Sequence, residues 1–369
     1  MRNKRSFKIA AHLCRIVLAC TFILSGFTKV IDPWGTALKV DEYLTIYGLE
    51  ALMPASMVFS IWLCGAELMM GCMLLFKVRI RLISIFALLS MIFFTVLTFL
   101  SATVLPVEDC GCFGEALKLS PWETFFKDLA LLPMAVVVWW RYRPDRVFAF
   151  NPMEITLTCL FFAFSMYLGY YCYIHLPIID FLPYKVGVNI REAMQEPIET
   201  VGETETVLIY RNRETGRERA FSLDEIEWQD TLRWEWVDTR LSNDDGLSIR
   251  PLVSEFSLRD AGADVTEEIL TTPGRLYMLC VTSFDRLPKR CIRRMADLVA
   301  RAAAEGAQVV CLTPYPLDGE TWYDFGTGEV HCYNIDASTM KTLLRARNGL
   351  VVLDDGTITA KMNCRDIRP

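Results

Sequence analysis

The sequence predicts a membrane-embedded bundle of α-helices followed by an α/β domain outside the membrane. Of the 369 residues 53% are hydrophobic and the mean hydropathy is +0.28, which exceeds the apolar content of an ordinary soluble domain. The apolar residues are concentrated before about residue 177, whereas residues 180–369 carry 23 Lys and Arg against 32 Asp and Glu. This acidic balance gives no reason to expect nucleic-acid binding.

Five apolar runs are each close to the roughly 20 residues that a spanning helix needs. They cover residues 9–31, 52–76, 80–105, 122–140 and 153–176. We therefore predict that each run is a transmembrane helix. A cleavable signal peptide is the alternative for the first run. That run is long, contains Arg15, and no small-x-small cleavage site follows before Lys29, so we expect it to be retained.

The charged loops predict the orientation, because Lys and Arg accumulate in loops on the cytoplasmic side. Basic residues cluster before the first run, between the second and third, and between the fourth and fifth: Arg2, Lys4, Arg5, Lys8, Lys77, Arg79, Arg81, Arg141, Arg143 and Arg146. The loops at 32–51 and 103–121 are acidic or balanced, so we expect them on the opposite face. The basic residues before the first run predict a cytoplasmic N-terminus. Because the number of spans is odd, we then expect everything after Leu176 to lie outside.

The second half of the chain is predicted to contain a linker, a small β-rich region and an α/β domain. Two strand-like runs within 206–221 flank Arg-Glu-Thr-Gly-Arg, which predicts a hairpin. From Arg275 onward the patterns predict a strand, a helix, two strands, a helix and a final strand pair. The predicted ranges are 275–282, 287–304, 307–313, 330–335, 338–347, 350–353 and 357–362.

This order of elements resembles the thioredoxin-like arrangement, and residues 338–362 resemble the last third of periplasmic thioredoxin-like domains. Such domains carry Cys-x-x-Cys at the start of the helix that follows the first strand, where the helix N-terminus lowers the pKa of the first thiol. This chain has Cys280-Val-Thr-Ser-Phe-Asp there, with Cys291 further on, and Asn348 stands where the family has a proline. We therefore predict a thioredoxin-like domain at 271–369 that lacks Cys-x-x-Cys and does not exchange dithiols.

Short motifs occur in order along the membrane half. They are Arg15, Phe22, Ser25, Gly26, Lys29 and Asp32 in the first helix, Glu67 and Gly71 in the second, and Cys110-Gly-Cys-Phe-Gly before the fourth. Over residues 9–141 this pattern resembles the DoxX family, and within it the branch that includes the methylamine-utilisation protein MauE.

The resemblance implies a four-helix DoxX/MauE-like membrane domain at 1–150. The last apolar run predicts a fifth transmembrane helix at 151–178, and the composition and strand patterns after it predict a periplasmic linker with a small β-rich region at 179–270. The resemblance also implies the inner membrane of a Gram-negative bacterium. MauE-like members are tied to disulfide maturation of a periplasmic partner, and other DoxX relatives to quinone-linked sulfur oxidation.

Cys110 and Cys112 form the candidate redox pair. Gly111 between them lets the backbone bend toward a small disulfide ring, and a strained disulfide is easily reduced. A thiol/disulfide relay is the functional interpretation. A static disulfide and a pair of metal ligands are the alternatives, but zinc needs further Cys or His, and none of the three histidines lies in this loop, so we predict no metal.

Ionisable residues within membrane spans usually mark a paired or functional position. Depths estimated from the helical rise predict that Arg15 pairs with Glu67, either to fix helix packing or to move protons. Lys29 is expected near the opposite face, where its charge could favour a thiolate in the Cys110–Cys112 loop or where it could snorkel to the headgroups. Lys127 and Asp128 neutralise one another within the bundle or contact a bound quinone.

Three functional hypotheses follow. The first is a membrane thiol-disulfide oxidoreductase or maturation factor that acts through Cys110 and Cys112 on a periplasmic thiol protein, with a quinone as possible cofactor. The second is a non-catalytic assembly factor that holds a client with its outer domain. The third is a transporter, although the sequence has no internal repeat that would support this function. The cysteines outside the loop, Cys280 and Cys311 among them, are expected to pack as small hydrophobes.

Overall fold

The computed structural model describes residues 2–104, 111–143, 151–195, 205–212, 218–222, 234–242, 256–315 and 321–368. The chain forms two compact units, Met1–Val188 with Ser257–Pro369, and Asn189–Phe256. The first unit holds a helical bundle and a mixed β-sheet, and the second holds a short helix and a small antiparallel sheet.

Six helices of the described residues make up the N-terminal part. They are α1 (Arg2–Ile31), α2 (Pro33–Ile46), α3 (Ser56–Phe76), α4 (Ile80–Thr103), α5 (Pro121–Arg141) and α6 (Pro152–Ile174). Four described segments are long and apolar enough to cross a membrane: Arg5–Ile31, Glu50–Phe76, Ile80–Thr103 and Pro152–Ile174. The helix α5 is not among them, because Glu123, Lys127 and Asp128 lower its hydropathy. A fifth span therefore stays a prediction.

The segment at 32–51, expected to be a loop, is mostly helical. Asp32 accepts a hydrogen bond from the backbone N of Gly35 at 2.9 Å, and Pro33 occupies the first turn of α2. An Asp cap followed by Pro is a strong start to a helix. A 3-10 helix, Glu50–Ala55, then leads directly into α3. The prediction of a loop is wrong here, because Asp32 and Pro33 start a helix.

Two glycines allow α1 and α3 to cross with their backbones almost in contact. A Cβ atom added at Gly26 would lie 2.4 Å from the backbone N of Leu68, and one added at Gly71 would lie 2.6 Å from that of Ile23. Small residues are what permits such close helix crossings in membranes. The two contacts also fix the relative height of the antiparallel helices. The helix α5 packs against α1 and α4, and α6 packs against α3.

The C-terminal part of the first unit is a mixed sheet with a few helices. Its strands are β4 (Leu258–Asp260), β5 (Ala263–Asp264), β6 (Arg275–Val281), β7 (Gln308–Thr313), β8 (Trp322–Asp324), β9 (Glu329–Ile335), β10 (Asn348–Asp354) and β11 (Thr357–Asn363). The strand order is β11-β10-β6-β7-β9-β4-β5, with β8 beside β9. The pairs β6–β7 and β7–β9 are parallel, and the other pairs are antiparallel.

The helices of this part are α8 (Thr266–Leu270), α9 (Lys289–Glu305) and α10 (Ala337–Leu343). The strongly amphipathic α9 lays Met295 and Val299 on core residues of the sheet, including Leu279 and Cys311. The predicted elements after residue 275 are confirmed, except that the predicted helix at 338–347 ends at Leu343. The sheet also includes β4, so it begins before the expected start at residue 271.

In the second unit, α7 (Ile190–Gln195) precedes β1 (Glu205–Asn212), β2 (Glu218–Ser222) and β3 (Trp234–Ser242). The three strands form an antiparallel sheet in the order β2-β1-β3. The hairpin predicted within 206–221 is present as the pair β1–β2.

Candidate functional site

The cysteine motif lies where the chain passes from α4 to α5. Cys110 lies outside the described residues, and Cys112 is half-buried. Gly111 and Gly114 have φ angles of +61° and +55°, which favour glycine over other residues. The hydroxyl of Ser25 donates to the carbonyl oxygen of Cys112 at 2.5 Å, so the loop is fixed against α1.

Cys112 lines a cavity of about 270 Å³ between α1, α2, α3, α4 and α5, which we call the Cys112 cavity. Its walls are largely apolar and aromatic: Phe22, Leu44, Met91, Phe93, Phe94, Leu97 and Leu131. Four charged residues of the earlier predictions also line it: Lys29, Glu67, Lys127 and Asp128. The fold therefore gathers one of the two motif cysteines and four ionisable side chains from three helices into one space.

The charges in the Cys112 cavity are paired. Lys29 forms a buried salt bridge with Glu67, and each residue is 6% exposed. Lys29 therefore does not snorkel to the headgroups. The Nζ of Lys127 lies 3.2 Å from Oδ1 of Asp128, whose other carboxylate oxygen accepts from the hydroxyl of Thr98 at 3.4 Å. Lys39 of α2 also lines the cavity and lies 3.1 Å from Glu42, so three cations and two carboxylates give the lining a formal charge of +1.

Arg15 does not pair with Glu67, and that expectation was wrong. The guanidinium of Arg15 donates to the carbonyl oxygens of Leu74 and Leu75 and lies 3.2 Å from Nδ1 of His12. The crossing of α1 and α3 explains the difference, because it places Arg15 beside the C-terminal end of α3 and Lys29 beside Glu67. Arg15 thus satisfies the last carbonyl groups of α3, a structural role.

The Cys112 cavity has the features of a site for a flat, mostly apolar ring with polar oxygens. Ligand sites of this kind combine apolar walls with a few convergent polar groups. The ammonium groups of Lys29, Lys39 and Lys127 and the hydroxyl of Tyr43 are among the donors in the wall. Lys127 also lies 4.6 Å above the ring of Phe113, the residue after Cys112. The residues present therefore fit a quinone head group.

A side chain in the loop between α10 and β10 holds the loop that contains Cys112, a contact that the sequence does not predict. Arg345, 3% exposed, lies 3.2 Å from a carboxylate oxygen of Asp32 and 2.9 Å from one of Glu115, three residues after Cys112. A second contact joins Lys361 to Asp180 at 2.6 Å. Burial lowers the pKa of Lys361, and Asp180 opposes this effect. An arginine in a loop gives no sequence pattern that would identify such a contact.

The expectation that the cysteines outside the loop pack as small hydrophobes is wrong for two of them, because the sheet contains a disulfide. Cys291, in the first turn of α9, is bonded to Cys364 after β11, with their Cα atoms 5.5 Å apart. Seventy-three residues separate the two, so the pairing depends on the fold and not on local spacing. As expected, Cys280 and Cys311 are buried in the strands, and burial raises the pKa of the Cys280 thiol to about 12. No group of three or more metal-ligating side chains occurs among the described residues.

The fold and the Cys112 cavity define a helical membrane protein with a cysteine and paired charges inside its bundle. Residues 7–141 match the model of a family described as methylamine utilisation protein MauE, which covers α1 to α5 and the cysteine motif. The N-terminal part thus fits a MauE-like membrane protein, as the resemblance implied. Residues 204–242, with β1 to β3, match a domain of unknown function (DUF8463). No curated protein matches the chain, and no solved structure does.

Proposed function

We propose that this protein is a membrane thiol/disulfide redox or maturation factor in which Cys110 and Cys112 are the redox pair. The observation that carries the proposal is that Cys112 shares an apolar cavity with Lys29, Glu67, Lys127 and Asp128. A thiol held there can meet both a membrane-soluble oxidant and a thiol protein at the bundle end. The match to the methylamine utilisation family supports a role in maturation.

The proposed exchange between the client and the Cys110–Cys112 pair transfers two electrons to the pair and needs no further reagent. A client thiolate attacks the Cys110–Cys112 disulfide, and a mixed disulfide forms while one motif cysteine leaves as thiolate. The second client thiolate then attacks the mixed disulfide, so the client leaves oxidised and the motif becomes a dithiol. Reoxidation of the dithiol releases two electrons and two protons, for which a quinone is the proposed acceptor.

A bound quinone would supply a two-electron acceptor that diffuses within the membrane. Lys29 and Lys127 are the residues proposed to hold its oxygens, and the aromatic side chains of α4 its ring. Lys29 is proposed to stabilise a thiolate of the pair when Glu67 takes up a released proton. Asp128 next to Lys127 is the second group in the cavity able to hold such a proton.

We place the protein in a bacterial inner membrane with the N-terminus cytoplasmic and the sheet in the periplasm. The disulfide between Cys291 and Cys364 supports this orientation, because disulfides persist in an oxidising compartment and are reduced in cytosol. We further propose that the bundle is related to the DoxX family and that the sheet belongs to a thioredoxin-like domain. The parallel pair β6–β7 joined through α9, followed by the antiparallel β10 and β11, supports the latter.

A non-catalytic client-binding role is the second candidate. The observation that favours it is that the two cysteines nearest the start of α9 do not form a Cys-x-x-Cys pair, since Cys280 is buried and Cys291 is bonded to Cys364. In that case the sheet would hold a client and the Cys110–Cys112 pair would be permanently oxidised.

Trapping of mixed disulfides separates the two candidates. A Cys112→Ser chain in native membranes should accumulate a mixed disulfide through Cys110, which a reductant releases. The wild type should show a Cys110–Cys112 pair that becomes reduced when respiration is blocked. A pair that stays oxidised under all conditions, with no trapped adduct, would refute the redox proposal and favour client binding.

A further inference from the structure

A second cavity, of about 600 Å³, lies between the sheet and the bundle and is strongly basic. We call it the basic cavity. Six cationic residues line it: Arg286, Lys289, Arg290, Arg294, Arg347 and Arg365. None of its lining residues, all of them in the described part of the chain, is an Asp or a Glu. Like charges brought together without carboxylates raise the local positive potential and attract anions.

Four cationic side chains of the basic cavity are available to a ligand. Within the described residues, Arg286, Lys289, Arg290 and Arg365 make no ion pair, and all four are exposed. Arg294 is directed inward, where it donates to the carbonyl oxygens of Cys364 and Arg365. Guanidinium groups bind phosphate through paired hydrogen bonds, so a cluster of them favours this anion.

The start of α9 adds to the positive potential. This helix begins at Lys289, has 17 residues, and follows Pro288, which offers no side-chain acceptor to the first-turn amides. The N-terminus of a helix attracts anions through its free amides and its dipole. Here Lys289 and Arg290 of the first turn line the basic cavity, so the helix N-terminus and the arginine side chains both attract an anion into it.

The remaining wall is aromatic and ends at a membrane span. The rings of Trp34 and Tyr173 stack with their centroids 5.8 Å apart, and Arg347 lies 6.0 Å above Trp34. Tyr173 and Ile174 are the last residues of α6, one of the candidate membrane spans. Trp and Tyr concentrate at membrane interfaces, where one side of the ring is apolar and the other is wet. The basic cavity therefore lies beside the end of a candidate membrane helix.

We infer that the basic cavity binds a phosphate-bearing anion through Arg286, Arg290 and the start of α9. Two sources share this chemistry, the head group of an anionic phospholipid and a soluble phosphate. The site is separate from the Cys112 cavity, so its existence does not depend on the proposed thiol chemistry.

Native mass spectrometry of the full chain in detergent tests the inference with two probes. The first probe is phosphatidylglycerol, compared with zwitterionic phosphatidylcholine of the same acyl chains. The second is glycerol 3-phosphate. The cavity variant is Arg286→Gln with Arg290→Gln. The matched control, Arg259→Gln with Arg293→Gln, removes two exposed arginines of the same sheet region that do not line the cavity.

We expect the wild type to bind an anionic probe, and we expect the cavity variant to bind it about tenfold more weakly or worse, since charge-assisted hydrogen bonds are lost. The control variant should stay within about twofold of the wild type. Preference for phosphatidylglycerol identifies a lipid source, and binding of glycerol 3-phosphate without that preference identifies a soluble one. Equal binding of both lipids with no phosphate binding, or equal losses in the two variants, would overturn the inference.

Discussion

At the scale of single residues, the finding with the largest consequence is that Glu67 pairs with Lys29 and not with Arg15. The buried ion pair between α1 and α3 therefore lies in the cavity that Cys112 lines. An ion pair at membrane depth is costly to break, because the remaining charge is left uncompensated. The pair therefore serves both to hold α1 against α3 and to set the charge beside the thiol.

A double-mutant cycle distinguishes the two possible partners of Glu67. Glu67→Leu should lower stability by about 3–5 kcal/mol, because the buried Lys29 is then unpaired. Adding Lys29→Met should recover most of that loss, whereas Arg15→Gln combined with Glu67→Leu should be additive. Thermal unfolding in detergent measures these terms. A larger coupling energy for Arg15 with Glu67 than for Lys29 with Glu67 would contradict the assignment.

Cys280 predicts a specific pH dependence of stability. Burial raises the pKa of its thiol from 9.0 to about 12, so the folded state holds the proton more tightly than the unfolded state does. Its contribution to stability is therefore complete below pH 9 and is lost as the pH rises toward about 12.

The difference in unfolding free energy between the wild type and Cys280→Ala isolates this contribution. Between pH 9 and pH 11 the wild type should lose stability relative to the variant, by at most about 1.4 kcal/mol per pH unit. Denaturant unfolding at several pH values provides the measurement. A constant difference across this range would show that the Cys280 thiol titrates normally in the folded state.

At the scale of elements, the sequence predicts the features that depend on local residue patterns. Hydropathy and hydrophobic periodicity predicted the long helices and the succession of strands along the chain after residue 275, because each of these elements is determined by its own residues. The relative height of α1 and α3 was not predictable, since it depends on how Gly26 and Gly71 meet the opposite backbone. The disulfide of Cys291 and the contacts of Arg345 depend in the same way on distant segments meeting.

The helix crossing itself predicts unequal effects of two glycine changes in α3. Gly71→Ala places a Cβ atom against the backbone of α1, which cannot move aside locally, so we expect a loss of about 1–3 kcal/mol. Gly65→Ala meets only the terminal methyl of Met166, which can rotate away. Melting temperatures of the two variants in the same detergent compare these effects. Equal melting temperatures would mean that the backbones do not approach closely at Gly71.

At the scale of the whole molecule, Arg345 connects the sheet to the cysteine loop through Glu115 and to the start of α2 through Asp32. Removing this arginine leaves a buried carboxylate without its partner. Arg345→Met should therefore lower stability by about 3 kcal/mol or more, and after reduction of the protein it should speed the alkylation of Cys112 by maleimide. Lys341→Met, an exposed change in α10, should alter neither. Unchanged labelling of Cys112 in Arg345→Met would show that the sheet does not restrain the loop.

The most direct test of the central claim is thiol oxidation by the purified chain in proteoliposomes that contain ubiquinone, with dithiothreitol as the electron donor. We predict that the wild type oxidises dithiothreitol at a rate that depends on quinone, and that Cys110→Ser and Cys112→Ser abolish this rate. The double change Cys291→Ala with Cys364→Ala should keep most of it in the protein that remains folded. Loss of activity in that double variant together with full activity in Cys112→Ser would place the chemistry in the sheet and contradict the account.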